Sequence, residues 1–212
     1  KYKKWVDTRD PSTILNFSIM KYFEQRDPTW AGIHLGESSY TMGTSGCLVT
    51  AVAEWMRKMV DSKMNPHRLV TWLNTNGGFT AGGSLLFRAP ANMPGLPKQF
   101  KFTNVYKGQV DTTFEHVKQL MLTNAAPVII QVDFDSDSDL DSHFVLVTQV
   151  LQHDLLIADP WTGKEELLME KYPKGTIDES IYAIVVYELE GDSHPAPEIP
   201  LIGFNDPNDE GA

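Results

Sequence analysis

A single cysteine, Cys47, among 212 residues excludes any intrachain disulfide and any cysteine-rich zinc site. No apolar run approaches the roughly 20 residues that a bilayer-spanning helix needs. Cations are scarce: 18 Lys and Arg face 28 Asp and Glu, a formal charge of −10. A field of that sign repels nucleic acid and anionic membranes, so neither is expected as a partner. The six histidines show no His-x-x-x-His or other metal spacing, and no glycine cluster is followed by Gly-Lys-Ser/Thr, which excludes a phosphate loop. There is no internal repeat. The chain opens on Lys1 without a visible leader, so a processed or excised chain is expected and the N-terminus gives no location.

What remains is ordinary for a soluble globular protein: 42% apolar and 22% charged residues, enough for one buried domain. Leu48, Val52, Trp55, Met56 and Met59 recur at helical spacing, with Glu54, Arg57 and Lys58 on other faces. Thr44 and Ser45 stand where an N-cap belongs, which starts this helix near Cys47. A short helix is expected over 66–73 and another over 113–122; residues 79–112 lack periodicity and read mainly as loop. Asp10-Pro11-Ser12-Thr13 and Asp27-Pro28 read as turns or helix starts. Runs rich in Val, Ile and Leu at 127–132, 144–150, 155–158 and 181–188 read as strands. Helices first and strands afterwards give an α+β domain over 1–190. A Pro- and Asp-rich tail or linker follows over 191–212.

The lone thiol has two readings. A cysteine opening an amphipathic helix faces the positive end of the helix dipole and unpaired N–H groups, which favour the thiolate, and Gly46 leaves room for close approach. The other reading, which position alone favours because free cysteines are commonly buried, is a small buried residue starting a core helix. His143 starts one apolar run and Asp159, 16 residues on, closes the next. In a hairpin turning near 152–153 the two side chains come close to opposite, directly or through a bulge, so a carboxylate can hold an imidazole nitrogen. Such a pair fixes the tautomer and stabilises the imidazolium, which in turn stabilises a thiolate. Alternating Asp133, Asp135, Asp137, Asp139 and Asp141 read as a solvated acidic loop. A calcium loop starting at Asp133 would need Gly at 138 and Glu at 144, where Ser138 and Phe144 stand. Trp161 is either a shield over the His–Asp contact or a plain core aromatic, and the glycines at 77, 78, 82 and 83 border a cleft.

Gln25-Arg26-Asp27-Pro28-Thr29-Trp30, Gly46-Cys47-Leu48-Val49-Thr50, Leu73-Asn74-Thr75-Asn76-Gly77-Gly78-Phe79, His143-Phe144-Val145-Leu146-Val147-Thr148 and Asp159-Pro160-Trp161 resemble, in order and spacing, the C39-like peptidase domain. The resemblance covers about residues 20 to 188. It implies a papain-like cysteine peptidase fold, with an N-terminal helical part and an antiparallel sheet. Cys47 would be the nucleophile, His143 the base and then acid, and Asp159 the orienting carboxylate. Gln25 would be the oxyanion-hole glutamine; on residue type alone it is also a surface loop residue. The implied reaction is amide hydrolysis through a thioester, with no cofactor or metal. The implied substrates are peptides cut after small residues or peptidoglycan stem peptides. Some family members accompany cell-wall or phage lytic proteins, which leaves a secreted or virion-associated setting open, and the location itself is not read from the sequence. Acyl transfer on the same scaffold and a non-catalytic interaction module are the alternatives, and the oligomeric state is not read from the sequence.

Overall fold

A computed structural model describes residues 21–135 and 139–191. The turn expected at 10–13, the tail from 192 onward, His194 and Asp137 lie outside the described residues. Two helices follow one another with only Gly46 between them: α1 (Met42–Ser45) and α2 (Cys47–Met59). Thr41 caps α1, its hydroxyl accepting from Thr44 N while Thr44 reciprocates. Thr44 and Ser45 therefore belong to a helix of their own, and α2 starts on Gly46 without a side-chain cap, correcting the expected N-cap. Gly46 is glycine for packing: a Cβ there would run into the Met42 carbonyl. Helix α2 closes with Arg57 and Lys58 in its last turn, where they complement the dipole.

Helix α3 (Pro66–Thr75) follows, capped by Asn65 on Arg68 N with Pro66 in the first turn. A 3-10 turn spans Ala89–Asn92. Strand β1 (Phe100–Lys107) falls inside the stretch expected to be loop. Its pairing slips between Phe102 and Asn104, so the apolar alternation that marks a strand breaks at Thr103. Helix α4 (Phe114–Asn124) has Thr113 as N-cap. Then come β2 (Val128–Asp133), β3 (Ser142–Val150), β4 (Leu155–Asp159), β5 (Lys164–Leu167), the single turn α5 (Leu168–Lys171) and β6 (Ala183–Leu189). The unexpected β5, Lys-Glu-Glu-Leu, is a short charged edge strand, a composition that protects edges and hides them from propensity.

The protein is thus a mixed α/β fold with one six-stranded antiparallel sheet, ordered β1-β6-β2-β3-β4-β5. Helices do not simply precede strands, since β1 comes before α4. One face of the sheet, with Ile129, Leu146, Ala158, Val185 and Tyr187, packs with residues of α2 and α3. The other face, with Ile130, Val132, Val145, Val147 and Ile157, packs with Val117 of α4 and with Leu168, Tyr172 and Ile181. Trp55 fixes α2 to the sheet: its indole donates to Pro127 O at 2.9 Å, and its ring lies against Phe100 and Tyr187. Glu54, expected on a face other than the apolar one, is itself buried and paired to Arg57 at 2.6 Å. Among the described residues no helix is long and apolar enough to cross a membrane.

Candidate functional site

Cys47 is the first residue of α2, and its side chain lines a cleft of about 560 Å³ together with Gln25, Ser142, His143, Phe144 and Trp161. The thiol-bearing residue retains 9% of its surface, so it is neither sealed in nor freely exposed. The opening turn of α2 carries no acidic side chain. Its first N–H groups therefore lack both intrahelical acceptors and a capping oxygen, and they aim partial positive charge at the helix end.

His143 lies near the start of β3, and its Nε2 meets Asp159 Oδ1 at 2.7 Å. The cross-strand register explains how these two meet. Near the hairpin Val150 faces Leu155 and Gln149 faces Leu156, but past the bulge Val147 faces Ile157 and Leu146 faces Ala158. Continued without the bulge, the first register would set Asp159 opposite Leu146, on the other face of the sheet. The extra residue, Thr148, shifts Asp159 to the position opposite Val145, on the same face as His143 and diagonal to it. The expectation that the pair lies close to opposite is thereby refined to a diagonal contact made by a bulge. The Thr148 hydroxyl sits between Leu156 O at 3.1 Å and Glu165 Oε1 at 2.6 Å, anchoring the irregular turn of backbone.

Asp159 is fully buried and carries three hydrogen bonds. Besides His143, Trp161 N donates to Oδ1 at 2.8 Å and Tyr172 Oη donates to Oδ2 at 2.8 Å. Burial alone would raise the proton affinity of this carboxyl, but the bond to His143 and the two further donors hold it below the ordinary carboxylate range. Burial likewise opposes charge on His143. Hydrogen bonding to Asp159 and to Cys47 overcomes that and pushes its pKa up to about 9. With Nε2 committed to Asp159, Nδ1 is the ring nitrogen left for the sulfur. Rings of Phe134 and Tyr172 pack against the imidazole at 5.3 and 5.5 Å.

Gln25 is 1% exposed, which removes the surface-loop reading. Its backbone N–H donates to Pro160 O at 2.7 Å, and Arg26 reaches Trp161 O at 3.0 Å while stacking 4.0 Å over the indole. The segment at Gln25-Arg26 is therefore docked on Asp159-Pro160-Trp161, and two motifs far apart in the chain form one unit. One N–H of the Gln25 amide bonds Gly43 O at 3.1 Å; the second is uncommitted, and Oε1 is buried without a partner. Trp161 packs on Phe134 at 5.0 Å at the cleft, and its backbone N–H donates to Asp159.

Of the four residues singled out from the sequence, Cys47, His143 and Gln25 line one cleft, and Asp159 lies buried behind it on His143. Gly82 and Gly83 border it as expected, whereas Gly77 and Gly78 do not. The acidic loop is tied inward: Asp133 pairs with Lys174 at 2.7 Å and accepts from Asp141 N at 3.0 Å. Among the described residues no group of three or more His, Cys, Asp or Glu is arranged to hold a metal ion. His34, His67 and His153 are exposed, and half-buried His116 bonds Asp111 O. Sequence reasoning missed Tyr172 and Thr148. A tyrosine 13 residues beyond its carboxylate partner carries no local pattern, and a bulge leaves no signature in a run of β-formers. No family model, no curated protein and no solved structure matches the chain.

Proposed function

We propose that the protein is a cysteine peptidase of papain-like architecture, resembling the C39-like group, that hydrolyses a peptide amide bond. The single observation that carries this reading is the buried His143–Asp159 bond at 2.7 Å, beside a lone thiol at a helix start in an open cleft. Imidazolium and thiolate stabilise one another, and a His143 pKa of about 9 keeps the imidazolium populated at neutral pH. In the proposed reaction the Cys47 sulfur attacks the carbonyl carbon, and the oxyanion takes hydrogen bonds from Cys47 N–H and the uncommitted N–H of Gln25. His143 gives its proton to the leaving amine, which departs as the thioester forms. His143 then takes a proton from water, which attacks the thioester and frees the acid and the thiol.

The substrate proposed is a peptide, either cut after small residues or part of a peptidoglycan stem. Apolar walls of Leu35, Leu48, Leu85 and Phe87, with no Lys or Arg lining the cleft among the described residues, favour an uncharged peptide over an anionic one. Digestion of a peptide library and of purified peptidoglycan, each compared with Cys47→Ala, tests the reading; equal cleavage by the variant refutes it. Adding an amine acceptor to the same reactions separates hydrolysis from acyl transfer.

A further inference from the structure

We infer that Tyr172 is a positioning residue of the His143–Asp159 pair, its hydroxyl holding Asp159 Oδ2 so that Oδ1 stays turned to His143. The inference rests on the peptidase reading for its kinetic consequence and on geometry for its origin. Asp159 is 0% exposed, so each oxygen needs a donor or the charge is stranded. Oδ1 has two, His143 Nε2 and Trp161 N, and Oδ2 has Tyr172 Oη at 2.8 Å. Removing that hydroxyl leaves one buried carboxylate oxygen without a protein donor. The carboxyl then either gains proton affinity or rotates toward another donor, and either change loosens its hold on the imidazole.

The placement of the phenol follows from the short turn α5, which follows β5 and delivers Tyr172 beneath the end of β4. Its ring fills the space beside His143 and Phe134, with centroids 5.5 and 6.2 Å away, so side chain and dyad pack as one block. The groups facing this block are His143 from β3, Cys47 from α2, Glu166 from β5 and Lys171, whose ammonium lies 5.8 Å from the Tyr172 ring. Burial, and then the negative charge of Asp159, push the Tyr172 pKa far above its ordinary value, so the phenol stays a donor throughout the working range.

Tyr172→Phe keeps the ring and deletes only the hydroxyl. A hydrogen bond to a charged group contributes enough that kcat should fall roughly 10- to 100-fold. KM should stay within about twofold, because Tyr172 does not line the cleft. The acid limb of the pH–rate profile should move to higher pH, since a carboxylate that loses a donor takes up its proton earlier. A ring-proton NMR titration of His143 in the whole protein reads the same change without substrate: its acid-side inflection should move upward in Tyr172→Phe. A drop in melting temperature with kcat, pH limbs and His143 titration unchanged would overturn the positioning role. Failure of the peptidase reading looks different: the wild type cleaves nothing, yet the His143 titration still responds to the substitution.

Discussion

Asp159→Asn removes one charge from the centre of the site while keeping the side chain's shape. In the wild type the His143 pKa of about 9 stands well above the 6.5 of a free imidazole, even though burial opposes the charge. That difference corresponds to about 3 kcal/mol of imidazolium stabilisation. Hydrogen bonding to the Asp159 carboxylate, 2.7 Å from Nε2, is the first of the favourable causes, and an amide oxygen forms a bond roughly half as strong. The variant's imidazole should therefore titrate near or below about 6.5. At pH 7.5 the protonated fraction falls from roughly 97% to roughly 10%, and the thiolate loses its counter-ion with it. The assay is the rate of Cys47 alkylation by iodoacetamide from pH 5 to 10, followed by intact mass. The wild type should react near pH 6.5 at a substantial fraction of its rate at pH 10; Asp159→Asn should keep under about a tenth of the wild-type rate near neutrality and converge with it in alkali. Superposable profiles would mean that the carboxylate does not govern the pair.

Gln25→Ala should lower kcat about 10- to 100-fold with little change in KM, if its free N–H meets only the developing oxyanion; Michaelis–Menten analysis of a cleaved peptide reads both numbers. Stability should depend on pH through His143, whose folded pKa is raised: its contribution is full below about 6.5 and is lost as pH rises through about 9, by about 3 kcal/mol in all. Urea unfolding at pH 6.5 and 9.5 measures this, and His143→Gln should flatten that part of the dependence. Gly46→Ala drives a methyl into the Met42 carbonyl at the junction of α1 and α2, so it should destabilise by about 1–3 kcal/mol and lower the midpoint of thermal unfolding.

Much of the site is legible in the sequence because its parts sit on strong local signals. Cys47 opens the helix with the clearest apolar periodicity, and His143 and Asp159 bound two β-forming runs whose separation fits a hairpin. Long-range detail is not legible. The face on which Asp159 emerges depends on the bulge at Thr148, a one-residue slip that residue types do not announce. Tyr172 reaches Asp159 only after β5 and α5 have folded back, and β5 itself is hidden by its charges. The Thr41–Thr44 capping box shows the same ambiguity on a smaller scale: small polar residues before a helix mark a start, and here they mark the start of a different helix. Residue types leave Gln25 open between cleft and surface because the backbone bond to Pro160 that seats it links residues far apart in the chain.

The central claim is that the sulfur of residue 47 becomes covalently acylated during turnover. Rapid acid quench of the protein with a cleaved peptide, followed by intact mass and fragment mapping, reads this directly. The predicted result is a mass increase equal to the acyl fragment on the segment containing Cys47, removed by hydroxylamine and missing from Cys47→Ala. Continued cleavage with no adduct at that position, or cleavage by Cys47→Ala, would contradict it.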